Sequence, residues 1–339
     1  MLPEKRVNIK RIAPFLLIGL LIFIGYLYFF VGIPEMLTII QRVDLFYYLL
    51  AVAVLLLSML AYSLTWQYFL RPLSVNVPFR KTFLFTWVGV FVDLLIPAES
   101  ISGDTSKAYL MTRESGENAG KVVASVVGHR ILSMIITLSS LIICSLLLFV
   151  LQYELPAFVS NLILLVAVGT TVSLILIFLL CLREQLTQKL VDLLLRFSVF
   201  ISRGRLRLAS LRSKAKKASS AFHQSIEVLG SNPRSLVRPV FFSVVAWFLS
   251  VLLSFLVFVS LDHPVSFVLI TIVYSISNAI QNIPIGVPGE VGLVEIVMTS
   301  LYGLLGVPLG ISAAATVLIR VLWVWFRLLL GFVAVQWVG

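Results

Sequence analysis

Long unbroken apolar runs alternate with short polar connections along this chain, at 13–33, 45–67, 82–97, 121–150, 157–182, 237–261, 265–284 and 311–337. A membrane-spanning helix needs about 20 consecutive apolar residues, because its backbone must satisfy its own hydrogen bonds inside the bilayer. A transmembrane barrel would instead need short strands of alternating polarity. The runs here do not alternate, so the pattern predicts an all-α polytopic membrane protein forming one integral membrane domain over 1–339. Composition agrees: 60% of residues are hydrophobic and 12% charged, and the mean hydropathy is +1.07.

Charge decides how the runs are threaded. Residues 183–238 carry twelve Lys/Arg against three acids, including "RGRLRLASLRSKAKKASS". Basic loops stay on the cytoplasmic side and approach anionic lipid heads. Apolar residues interleave with these charges, which predicts amphipathic surface helices over 183–236; nucleic-acid binding is the less natural reading of the run. The opening "MLPEKRVNIKR" is basic and precedes an apolar run without a small-residue cleavage site, as expected of a retained first helix with a cytoplasmic N-terminus. Eight simple crossings from there would put the 183–238 loop outside. The conflict disappears if 82–97 enters from the cytoplasm, breaks at Pro97 and returns through "SGDTSKAYLMTR". By the same logic 265–284 dips in from outside, breaks around "NIPIGVPGEVG", and returns through "LVEIVMTSLYGLL". The expected architecture is therefore six full spans plus two oppositely oriented re-entrant helical hairpins, within repeats 82–150 and 265–337, with both termini cytoplasmic.

The two hairpins share a pattern. Pro97 is followed by Glu99, Asp104 and Arg130; Pro288 is followed by Glu290, Glu295 and Arg320. The spacing from Asp104 to Arg130 is 26 and from Glu295 to Arg320 is 25. With opposite entry sides this reads as an inverted repeat, the architecture of alternating-access transporters, in which broken helices line a wet cavity near the midplane.

Each intramembrane charge costs at least about 2.5 to 3.5 kcal/mol unless paired or wetted. Arg130 and Arg320 either neutralise the acids of their own hairpins or hold an anionic headgroup, for which the guanidinium fork is suited. Asp104 and Lys107, three apart, share one helix face; Asp104 can complement a helix N-terminus, and Lys107 can snorkel to the interface or act as a ligand. Arg327, seven beyond Arg320, shares its face and is expected as an interfacial anchor. His129 is either a core histidine or a proton carrier. Pro288, Gly289 and Gly292 open the second hairpin, whose free N–H groups would suit an anion. Asn278, Gln281 and Asn282 could bond either backbone or substrate, with backbone the expected partner. Cys144 and Cys181 sit inside apolar runs, too far apart for a metal site, and no nucleotide-binding loop is present; no cofactor is expected.

The stretches "SGDTSKAYL" and "PGEVGLVE", each followed by an arginine helix, resemble the flippase-like family that includes the transmembrane region of lysylphosphatidylglycerol synthases. The resemblance runs from about residue 10 to 337. It rests on Ser102, Gly103, Asp104 and Lys107 in the first motif and on Pro288, Gly289, Glu290, Gly292 and Glu295 in the second. Ser102, Lys107 and Glu290 depart from the family's residues, leaving the headgroup open. The resemblance implies movement of a charged lipid between leaflets, such as an aminoacylated phospholipid or a polyprenyl-phosphate-linked sugar. The family's soluble transferase domain has no counterpart before Gly339.

Three classes remain in view. A flippase would bind anionic membrane lipids, alone or as an oligomer. A non-transporting scaffold would present lipid to a separate synthase. An intramembrane enzyme fits least well: Ile101 stands where a Gly-x-Gly-Asp protease turn wants glycine, and His129 has no Gly-x-Ser-x-Gly partner.

Overall fold

The computed structural model describes residues 24–25, 28, 33–96, 101–201, 208–283 and 287–338. Its elements are helical: α1 (Ile33–Ile40), α2 (Leu45–Leu70), α3 (Phe79–Leu95), α4 (Ile101–Ser115), α5 (Ala119–Val150), α6 (Ala157–Leu182), α7 (Glu184–Ile201), α8 (Leu208–Ser231), α9 (Val237–Ser260), α10 (Phe267–Gln281), α11 (Leu293–Leu304), α12 (Leu309–Arg320) and α13 (Arg327–Val338). A π-helical turn, Val321–Phe326, joins α12 to α13.

Five helical segments are long and apolar enough to cross a bilayer: Leu45–Leu73, Ala119–Val150, Ala157–Leu182, Pro233–Ser260 and Leu309–Val338. They coincide with five of the six expected spans. The sixth, 13–33, lies almost wholly outside the described residues. Caps set some of the starts: the Asp44 carboxylate accepts from the Phe46 N–H at 2.8 Å, and the Asn118 side-chain carbonyl accepts from the Gly120 N–H at 2.8 Å, satisfying donors that the first helical turn leaves free.

The remaining apolar helices are short. α3 has 17 residues, α10 has 15 and α11 has 12, at or below the length that spans a bilayer. α3 packs on α4, and α10 on α11 and α5. Gly89 and Gly103 let the α3 and α4 backbones approach closely: a Cβ on Gly103 would collide with the Asp93 carboxylate and the Gly89 carbonyl. Pro97, where the sequence predicts a break, and Glu99 lie outside the described residues.

α2 and α9 form the central pair. Their apolar faces, with α5, α10, α11 and α12, build the largest buried cluster, around Leu55, Leu253, Ile270, Leu301 and Ile319. α6 lies at the rim, most of its apolar surface exposed. Within 183–236, where amphipathic surface helices are expected, lie α7 and α8, which Arg212 and Asp192 join through two parallel hydrogen bonds of 3.1 and 2.7 Å.

Candidate functional site

A cavity of about 610 Å³ opens among α2, α4, α5, α6, α9, α10 and the π turn, within the range typical of ligand sites. One end is polar. Asp104, in the first turn of α4, accepts an ion pair from Lys107 at 2.7 Å and another from Arg130 of α5 at 3.2 Å. Arg130 also donates to the Asn282 side-chain carbonyl at 3.0 Å, so the connection after α10 reaches the acid–arginine pair of the first helix pair. Asp93, near the end of α3, accepts from the Ser102 hydroxyl at 2.9 Å and the Gly103 N–H at 2.6 Å. This carboxylate therefore caps α4 from the neighbouring helix and closes the pair.

Lys107 does not snorkel. It is buried, with its ammonium 5.3 Å from the Trp66 ring and 5.8 Å from the Tyr62 ring, so two aromatic faces and one carboxylate replace its water. Trp66 is fixed in turn by its indole N–H, which donates to Ser125 at 3.0 Å. His129 packs against Tyr62 with ring centroids 4.3 Å apart and the ring planes tilted by 49°. Its Nε2 and the Trp247 Nε1, both in cavity-lining residues, are buried without a hydrogen-bond partner among the described residues.

The other end of the cavity is apolar and reaches the outside of the helix assembly. Leu162, Leu165, Val166 and Gly169 of α6 line it, while 67% of Leu165 is exposed. Nothing lies within 4 Å of the position a Cβ on Gly169 would take. The wall thus continues onto the face of an apolar spanning helix.

Arg327 also lines this cavity, its guanidinium 5.0 Å from the Trp323 ring and 3.5 Å from the Met59 sulfur. The seven-residue spacing from Arg320 to Arg327 is not that of an uninterrupted α-helix. A π turn, Val321–Phe326, lies between them.

The second acid–arginine pair is built on the same plan and closed. Arg130 and Arg320 are each the twelfth residue of their helices, counted from Ala119 and from Leu309. Glu295, in the first turn of α11, accepts from Arg320 Nε at 2.7 Å and from the Gly292 N–H at 2.7 Å. Arg320 donates further to the Gly289 carbonyl. The two side chains are 5% and 6% exposed, against 29% and 23% for Arg130 and Asp104. A small cavity of about 30 Å³ adjoins Arg320.

The turn Pro288–Glu290 carries backbone conformations suited to glycine: φ is +58° at Gly289, +49° at Glu290 and +97° at Gly292. A non-glycine residue there costs about 1–3 kcal/mol. The turn packs on Leu94 of α3 and Val324 of the π turn, so it touches the end of α3.

Of the sequence-predicted residues, Asp104, Lys107, His129 and Arg130 line the large cavity, and Gly103 holds its α3–α4 wall. Pro288, Gly289, Glu290, Gly292, Glu295 and Arg320 form the closed cluster, and Glu99 lies outside the described residues. Sequence reasoning missed the aromatic wall of Tyr62, Trp247, Tyr274 and Trp323, and the Trp66 ring beside Lys107, residues that look like ordinary apolar-helix content. Asn282 donates to the Asn278 backbone carbonyl at 2.6 Å, as expected, and also accepts from Arg130, a partner not anticipated.

The family model described as "Lysylphosphatidylglycerol synthase TM region" matches residues 16–331. A UPF0104 membrane protein of Pyrococcus horikoshii is 26% identical over 93% of this chain and 96% of its own length. Another, of Methanothermobacter thermautotrophicus, is 25% identical over 91% and 90%. A third, of Methanocaldococcus jannaschii, is 23% identical over 97% and 95%. No solved structure matches the chain.

Proposed function

The chain belongs to the family of the lysylphosphatidylglycerol synthase transmembrane region, and from that premise we propose that it is a lipid flippase. It moves an anionic or aminoacylated phospholipid, or a polyprenyl-phosphate-linked substrate, between leaflets by alternating access. In this reading the two broken-helix segments are re-entrant hairpins of opposite orientation, the termini are cytoplasmic, and the chain transports without chemical conversion of its substrate.

One observation carries the reading: the 610 Å³ cavity is charged at one end and opens onto lipid-facing surface at the other. That shape suits a molecule with a polar head and an acyl tail, the tail remaining among the lipids. Lys107, Arg130 and Arg327 outnumber Asp93 and Asp104 by one among the lining residues, which favours an anionic head.

The geometry also supplies a way to bind and release it. A phosphate that takes Arg130 from Asp104 leaves that carboxylate paired with Lys107, so no buried charge is stranded. In the closed cluster Glu295 would keep only the Gly292 N–H when Arg320 leaves it, so release there costs more than at Asp104. Arg130 and Arg320 thus serve as alternate headgroup sites, with Asp104 and Glu295 competing for them.

Translocation of fluorescent anionic phospholipid in proteoliposomes tests the proposal. Arg130→Ala and Arg320→Ala are each expected to slow it at least tenfold. Near-native rates in both variants would refute it, and stable co-purification of a soluble synthase with no leaflet redistribution would replace it with the scaffold reading.

A further inference from the structure

Glu290 is the acid for which the headgroup cycle has no use. It is 1% exposed, and neither carboxylate oxygen has a hydrogen-bond partner among the described residues. The charged groups on the elements packed around its turn are engaged elsewhere. Asp93 of α3 accepts from Ser102 and Gly103; Glu295 of α11 holds Arg320 and the Gly292 N–H; Arg320 is divided between Glu295 and the Gly289 carbonyl; Arg327, beyond the π turn, faces Trp323 and Met59. Arg80 and Lys81 sit at the far end of α3, roughly 20 Å away by helix rise. No ion pair among the described residues includes Glu290.

A carboxylate left charged, dry and unpaired is the least favourable state such a group can take, and it escapes by binding a proton. We propose that Glu290 is a proton-binding site that controls the second hairpin: it holds a proton while the hairpin is shut and releases it when the hairpin opens. On release the carboxyl O–H bond breaks, its electron pair stays on the oxygen, and the proton passes to water; closing reverses the step. The carboxylate so formed is a competitor for Arg320, which already reaches the carbonyl of the preceding residue. Deprotonation therefore draws Arg320 away from Glu295. The left-handed backbone at Glu290, φ +49°, adds strain that opening relieves. Among the described residues no cluster of acids or histidines could hold a metal ion instead.

The inference rests on the flippase reading only in giving the opening a task; the proton site itself is measurable without transport. In full-length protein in lipid nanodiscs, pH-difference infrared spectra should show the carbonyl band of a protonated carboxyl that vanishes in Glu290→Gln. Hydrogen exchange over 287–296, corrected for the intrinsic pH dependence of exchange, should give an opening constant that rises at least tenfold with pH in the wild type. It should stay flat in Glu290→Gln. An unchanged infrared band in Glu290→Gln, or the same pH dependence of opening in both proteins, overturns the proposal. Loss of the band and of the pH dependence in a protein that moves no lipid would sustain the proton site and refute the flippase reading.

Discussion

Replacing Arg320 by methionine separates the two acid–arginine pairs energetically. Methionine keeps most of the length of the arginine stem, so the change removes the guanidinium with little loss of packing. It strands Glu295, which keeps the Gly292 N–H alone, and leaves the Gly289 carbonyl without its donor. Both partners of the pair are about 5% exposed, and breaking a buried pair by removing one member costs about 3–5 kcal/mol. Arg130→Met removes a pair of equal formal charge in a wetter place. Arg130 is 29% exposed, its contact to Asp104 is longer at 3.2 Å, and Asp104 retains Lys107 at 2.7 Å. Screening limits such a pair to about 1 kcal/mol. Denaturant titration of the purified protein in detergent micelles should therefore place Arg320→Met at least ~2 kcal/mol below Arg130→Met. Adding Glu295→Met to Arg320→Met removes the stranded charge and should restore most of the loss, since apolar replacement of both partners is often neutral. Equal costs for the two single variants, or a double variant no more stable than Arg320→Met, would refute this account.

Other changes probe the wall of the cavity. Gly103→Ala drives a methyl group into the Asp93 carboxylate and the Gly89 carbonyl; a loss of about 1–3 kcal/mol is expected from the same titration, and a neutral result would show that α3 and α4 do not pack as described. Asp93→Ala leaves Ser102 and the Gly103 N–H without their acceptor and should cost about 2 kcal/mol, whereas Asp93→Asn, which retains an acceptor, should cost under about half of that. Lys107→Met leaves Asp104 with Arg130 alone, so the flippase reading expects translocation to fall at least tenfold in proteoliposomes because Arg130 is no longer released to the headgroup. Trp66→Phe removes the donor to Ser125 and should lower stability by about 1 kcal/mol.

Much of this was legible in the sequence because two of its signals are one-dimensional. Apolar run length marks a span regardless of its neighbours, and α2, α5, α6, α9 and the α12–α13 segment fall where the runs lie. The acid-to-arginine spacings of 26 and 25 anticipated two pairs that do form, Asp104 with Arg130 and Glu295 with Arg320. What escaped depends on a third element or on helix phase. The spacing of Asp104 and Lys107 gives a shared face, but the burial of Lys107 comes from Trp66 and Tyr62 on α2. The π turn Val321–Phe326 between Arg320 and Arg327 was likewise invisible, since a seven-residue count assumes an uninterrupted α-helix. Asn282 reaches Arg130 across 152 positions of sequence, a distance no local pattern reports.

The difference between the pairs is itself a physical statement about how the halves can move. Glu295 uses both oxygens, one on Arg320 and one on the Gly292 N–H, whereas Asp104 divides its charge between two cations beside open space. Two similar units in one chain thus stand in different states, one shut and one accessible. They are also joined: Leu94, Val291 and Val324 pack the second turn against α3, and Asn282 grips Arg130. A headgroup that captured Arg130 would compete with Asn282 for the guanidinium and loosen the residue just after α10, so binding at the open pair would act on the shut one. Close packing makes such contacts switch between discrete arrangements rather than stretch. On the flippase reading, Asn282→Ala should therefore leave anionic-lipid binding at Arg130 intact while uncoupling it from opening at Arg320. Hydrogen exchange over 287–296, measured with and without anionic lipid, should respond to lipid in the wild type and not in the variant; an equal response in both would remove Asn282 from the coupling.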